Sequence, residues 1–135
     1  MSNCRQCIIK RFNALKTLTH DELEKFSDHK TTITIKKGEN LMTEGNAING
    51  LYCIRDGKGK LTKLNTNGKE QIIKFIKGGD ILGHRSILSE DLVGLNAIAL
   101  EDMHVCFIPK GDILDTIKEN TQFSLDLMNN ISQQL

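Results

Sequence analysis

The sequence contains no tryptophan, one tyrosine and five phenylalanines among 135 residues. Its core must therefore be built from Ile and Leu. It has no run of about 18 apolar residues, so no helix of it is expected to span a membrane. Its first residues, Met1 to Lys10, lack an apolar stretch of signal-peptide length. A cytoplasmic location is the expectation. Charge of one sign is also missing: Lys and Arg total 18 against 17 Asp and Glu, a net +1. Gripping nucleic acid needs a clustered basic surface, which that balance does not supply. No His-x-His pair occurs. His20, His29, His84 and His104 stand apart, which excludes the His-rich metal site of a cupin-like enzyme. There is no internal repeat and no low-complexity tract.

What is present suits one compact domain, since a chain this long is too short for two comfortable ones. The N-terminal part reads as helical. Ile8, Ile9, Phe12 and Leu15 lie at helical spacing. Thr19-His20-Asp21-Glu22 forms a capping box ahead of Leu23 and Phe26. From Lys30 the pattern turns to strands. Thr31 to Ile35 is β-branched throughout, and further runs are Leu51–Ile54, Gly59–Leu64, Gln71–Ile76, Leu95–Leu100 and His104–Ile108. Asp56-Gly57, Asn67-Gly68 and Gly78-Gly79-Asp80 mark turns between them. Asn67-Gly68 predicts a tight type I′ hairpin. Many short strands with regular turns indicate an all-β sandwich or barrel. After Pro109 the period is helical again, with a short helix over Lys110–Glu119 and a last helix N-capped by Thr121. Phe123, Leu127, Met128, Ile131 and Leu135 form its apolar stripe. Met128, Ile131 and Leu135 keep heptad spacing, which suits either packing on the chain's own β-roll or a dimer seam.

An ordered set of motifs resembles the sensor half of the Crp/Fnr family of transcription regulators. The set runs Lys37-Gly38-Glu39-Asn40-Leu41-Met42-Thr43-Glu44-Gly45, then Gly50-Leu51-Tyr52-Cys53-Ile54-Arg55-Asp56-Gly57, then Asn67 to Ile73. Gly78-Gly79-Asp80-Ile81-Leu82-Gly83 follows, and Ala97 to Pro109 closes it. The resemblance covers essentially the whole chain. It implies a mainly β fold: a double-stranded β-helix or jelly-roll, the β-roll of cyclic-nucleotide-binding domains, with N-terminal helices and a C-terminal dimerisation helix. It divides the chain into an N-terminal helical segment (1–29), the β-roll with its short helix (30–119) and the start of the dimer helix (120–135). It also implies a homodimer that meets DNA only through a C-terminal helix-turn-helix lying outside this chain.

In cyclic-nucleotide binders of this family, a short helix carries Gly-Glu and a later Arg-Ser/Thr-Ala follows. Helix amides and the Arg hold the cyclic phosphate, and the Glu takes the ribose hydroxyl. Here the stretches read Gly83-His84-Arg85-Ser86 and Gly94-Leu95-Asn96-Ala97. His84 stands at the Glu position, and Leu95 or Gly94 at the Arg position. A phosphate charge buried without a paired cation carries a large desolvation cost. Ordinary cAMP binding is therefore expected to be absent or very weak. The effector pocket is placed at Gly83, His84, Arg85, Ser86, Leu95, Asn96 and Ala97. Arg85 reads either as a replacement cation or as a surface or intersubunit ion pair. His84 reads as a hydrogen-bonded structural imidazole or as a ligand contact.

Cys4-Arg5-Gln6-Cys7 resembles the N-terminal cysteine pair of oxygen-sensing members, and Cys106 falls where they carry a distant cluster ligand. An iron–sulfur cluster takes four thiolates. No further cysteine follows Cys7 closely, and Cys53 reads as a small buried core residue. Metal or redox sensing through Cys4, Cys7 and Cys106 stays open, as do zinc held with His20 or His29 and a pair with no ligand. No cofactor is firmly expected; an Fe–S cluster or a small-molecule effector remain the alternatives. The reading is a regulator's sensor and dimerisation domain, not an enzyme. A stand-alone cyclic-nucleotide-binding module is the alternative, against which the altered cassette argues.

Overall fold

The computed structural model describes residues 15–134. The N-terminal cysteines, the helical spacing from Ile8 to Phe12, and Leu135 lie outside the described residues. The first helix among the described residues is α1 (His20–His29). The predicted capping box is there: Glu22 N–H donates to Thr19 Oγ1 at 3.2 Å, and Thr19 N–H donates to the Glu22 carboxylate at 2.8 Å. Leu23 and Phe26 are its buried face.

Eight strands follow: β1 (Thr31–Ile35), β2 (Asn40–Met42), β3 (Gly50–Asp56), β4 (Lys58–Leu64), β5 (Glu70–Lys77), β6 (Ile81–Leu82), β7 (Asn96–Ala99) and β8 (Met103–Pro109). They build two four-stranded antiparallel sheets, ordered β1-β8-β3-β6 and β2-β7-β4-β5. The alternation of side chains decides what each sheet buries. On one side Leu51, Cys53, Ile108, Ile81 and the helical residues Leu15, Phe26, Ile113, Phe123 and Leu127 form one cluster. Between the sheets, Leu41, Ile54, Leu61, Ile76, Leu82, Ala97 and Val105 form the other. With so few aromatics the packing is largely aliphatic, joined by the edge-on Phe26–Phe123 pair at 6.1 Å and the tilted Tyr52–Phe107 pair at 5.1 Å.

The β4–β5 hairpin differs from the sequence expectation. A type I′ turn needs positive φ at both central residues, but only Gly68 has it, at φ 78°. Asn65 sets the turn instead. Its carbonyl accepts from Gly68 N–H, and its side chain accepts from the N–H groups of Asn67 and Lys69, both at 3.0 Å. That side-chain turn outcompetes the Asn-Gly signal.

Three helices complete the fold: α2 (His84–Ser89), α3 (Lys110–Glu119) and α4 (Thr121–Gln134). Thr121 is not the cap of α4. Asn120 is: its Oδ1 accepts from Phe123 N–H at 3.0 Å, while its Nδ2 donates to Thr17 O and to Glu22 Oε1. One residue thus ties α4 to the start of α1. Gly83 opens α2 at φ 96°, where a Cβ would come within 2.9 Å of the Gly50 carbonyl oxygen. This position needs glycine for both its backbone angle and its space.

A cavity between the β-roll and the last helix

β2, β4, β5 and β6, α2, the loop after it and α4 enclose a cavity of about 470 Å³. Of the residues expected at the effector pocket, Gly83, His84, Arg85, Ser86 and Leu95 line this cavity, and Gly94 does too. Asn96 and Ala97 do not. Asn96 turns its side-chain oxygen to Glu44 N–H at 2.9 Å, and Ala97 is sealed between the sheets. Strand alternation sends Leu95 to the cavity side and its neighbour Asn96 away from it.

Most of the wall is apolar, with Met42, Leu61, Leu82, Val93, Leu95 and Ile131 contributing. Ser86 and His84 are its buried polar residues, and His84 is the titratable one of the two. It is 1% exposed, and neither ring nitrogen closes a hydrogen bond of ordinary geometry. Burial lowers its pKa from 6.5 to about 4, while the side chain of Asn130 on α4, which faces the ring, works in the opposite direction. The imidazole is therefore neutral at pH 7, with one donor and one acceptor on its ring.

The cations lie elsewhere. Arg85 and Lys63 are exposed and Lys74 half-buried, all lining the cavity, and Asp91 is the one carboxylate among the lining residues. None of these three cations has an ion-pair partner among the described residues. Lys63, Lys74 and Ile73 on the β4–β5 hairpin were not singled out from sequence, and Ile131 was expected in the apolar stripe of the last helix rather than in the cavity wall. Period-two spacing from Leu61 was the available signal for Lys63.

The stripe on α4 divides. Phe123 and Leu127 are fully buried in the chain's own core, and Ile131 lines the cavity. Phe123 and Leu127 are thus core residues rather than part of a dimer seam. Met128 stays 49% exposed, with Leu125 at 44% on the same helix. A 3.6-residue period turns residues 123 and 127 toward the β-roll and leaves 125 and 128 on other faces.

Cys106 on β8 lies directly opposite Cys53 on β3, both buried and neither disulfide-bonded. His20 pairs with Glu24 at 3.6 Å, and His29 Nδ1 lies 2.7 Å from Asp112. No group of three or more His, Cys, Asp or Glu able to hold a metal occurs among the described residues. Among these residues the zinc alternative with His20 or His29 has no site. None of the described helices is long and apolar enough to cross a membrane.

Comparison with known proteins gives a consistent result. Residues 32–120 match the model of the cyclic nucleotide-binding domain family. The chain is 34% identical over 116 residues to an anaerobic regulatory protein of Pasteurella multocida, covering 85% of this chain and 42% of that protein. It is 33% identical over 116 residues to the fumarate and nitrate reduction regulatory protein of Vibrio cholerae, covering 85% of this chain and 46% of the relative. The chain thus spans less than half the length of these two relatives. The crystal structure of the sensor domain of the transcriptional regulator DNR from Pseudomonas aeruginosa superposes with a TM-score of 0.86. It is 16% identical, and the match covers 98% of this chain and 88% of that one.

Proposed function

This chain belongs to the cyclic nucleotide-binding domain family, among the Crp/Fnr regulators, and from that premise we propose that it is an effector-sensing domain that does not hold cAMP in the usual way. The observation that carries the proposal is the pairing of Leu95 with a buried, neutral His84 in the cavity wall. A cyclic phosphate seated there would lose its hydration without gaining a guanidinium. Arg85 and Lys63 cannot substitute, because they are exposed, where solvent screens them.

An effector filling the cavity touches α4 through Ile131 and lies beside His84 and its neighbour Asn130. Occupancy then biases how α4 sits on the β-roll. That movement would be passed to a partner subunit through the exposed Met128 and Leu125, and to a helix-turn-helix outside this chain. The division into 1–29, 30–119 and 120–135, the homodimer, the DNA contact and the cytoplasmic location are parts of this reading. Its test restores the missing groups. The double variant Leu95→Arg with His84→Glu should gain cAMP affinity about tenfold or more over the parent chain in a calorimetric titration. Equal binding by parent and variant contradicts the proposal.

A second reading is metal or redox sensing through Cys4, Cys7 and Cys106. One observation favours it: Cys106 sits opposite a second thiol, Cys53, on the sheet packed against α1. The described residues do not themselves assemble a cluster site, so the other ligands would have to come from Cys4 and Cys7. Anaerobic absorption spectroscopy with metal analysis tests it. A visible band lost in Cys106→Ser supports this reading, and metal-free colourless protein overturns it.

A further inference from the structure

The β4–β5 hairpin carries a charge that the whole chain does not. Residues 58–77 hold six lysines and one glutamate, in a chain whose net charge is +1. Two of the lysines are paired: Lys60 lies 3.1 Å from Glu70, and Lys77 lies 3.9 Å from Asp80. Lys58, Lys63, Lys69 and Lys74 have no ion-pair partner among the described residues. One sign of charge concentrated on one element draws a partner of the opposite sign.

Large apolar side chains stand among these lysines. Phe75 lies opposite Lys60, Ile72 opposite Thr62 and Leu64 opposite Glu70. Directly opposed residues share a sheet face, and Leu61 and Ile76 take the other face into the core. Phe75, Leu64 and Ile72 are therefore on the outward face, where they stay 62%, 55% and 48% exposed. Lys74, opposite Leu61, and Lys63, two residues on from Leu61, belong to the inner face.

β5 also ends its sheet, in the order β2-β7-β4-β5. Its outer edge offers backbone N–H and C=O groups to an approaching strand. A second copy of the hairpin would bring its own lysines alongside, so self-pairing is opposed. An acidic strand meets attraction instead. We propose that the β5 edge docks an extended acidic segment of a partner protein, one that alternates carboxylates with apolar side chains. The segment adds a strand beside β5. Its apolar face packs on Phe75 and Ile72, and its carboxylates, on the other face, meet Lys74 and Lys63. Nucleic acid would use the lysines but leave the strand edge and the aliphatic Ile72 and Leu64 unused.

The experiment is a nuclear magnetic resonance titration of the isotope-labelled full chain at pH 7 and low salt. The probe is an end-blocked peptide alternating Glu and Val, eight residues long like β5. It should saturate below about 1 mM, with amide shifts concentrated at residues 70–77. The same peptide N-methylated at every residue keeps its charge but loses its donors, and should bind at least about tenfold more weakly. A peptide alternating Lys and Val should not bind. Lys63→Glu with Lys74→Glu should weaken the acidic peptide at least about tenfold. Phe75→Ser, at an exposed position, should weaken it about three- to fivefold. Absence of binding, shifts away from β5, equal binding of the N-methylated peptide, or tighter binding of an oligothymidylate of about 20 nucleotides each overturns the proposal.

Discussion

Asn130 of α4 faces the buried ring of His84 on α2. The contact joins the effector cassette to the C-terminal helix within a single subunit. A change at the ring is therefore a change at α4. The burial of the ring makes its protonation a matter of stability.

The folded state holds the His84 pKa at about 4, below its ordinary 6.5. Between those values the unfolded chain takes up a proton that the native chain refuses. Stability is therefore full above pH 6.5 and falls as the pH drops toward 4, by about 3 kcal/mol in all. Urea unfolding at a series of pH values measures this. His84→Leu should flatten the curve across that window, leaving the carboxylates to act below it. A slope unchanged in the variant contradicts the assignment.

Gly83→Ala should destabilise the domain by roughly 2 kcal/mol or more. The residue holds φ 96°, and the added Cβ meets the Gly50 carbonyl oxygen at 2.9 Å. Gly94→Ala, at a cavity-lining position where a Cβ meets nothing within 4 Å, should cost far less. Thermal denaturation of the two variants gives the comparison, and equal costs would show that the corner at Gly83 yields.

Two residues of one stripe should separate by experiment. Phe123→Ala removes a fully buried ring and its edge-on partner Phe26, and should cost about 3–5 kcal/mol of folding stability. Met128→Ser should change folding stability by less than about 0.5 kcal/mol, as surface substitutions do. Sedimentation should instead show it weakening self-association. A stability loss at Met128 matching that at Phe123 contradicts the division of the helix.

Much of the fold was legible because its signals are local. Thr19 and Glu22 spell out a capping box four residues long, and the β-branched run at Thr31–Ile35 has one reasonable conformation. The failures share a cause in tertiary context. Asn67-Gly68 is a strong hairpin signal, yet the Asn65 side chain captures two backbone N–H groups first. Thr121 is a good cap by type, but Asn120 reaches Phe123 while also binding Thr17 and Glu22. The stretch from Gly83 to Ser86 reads as the effector cassette from its glycines and its departures from the family pattern. The far wall was not, because Lys63, Lys74 and Ile131 come from elements whose approach to Leu95 no local pattern encodes. The burial of His84 against Asn130 was likewise invisible. A histidine next to a glycine reads as an ordinary paired imidazole until its surroundings are seen.

The account rests on a cavity whose interior offers a neutral imidazole and leucine where a phosphate would need a cation. The most direct measurement is a calorimetric titration of the unaltered chain with cAMP at pH 7 and moderate ionic strength. The account predicts no saturable heat up to millimolar nucleotide. A micromolar dissociation constant, lost in His84→Leu, would contradict it.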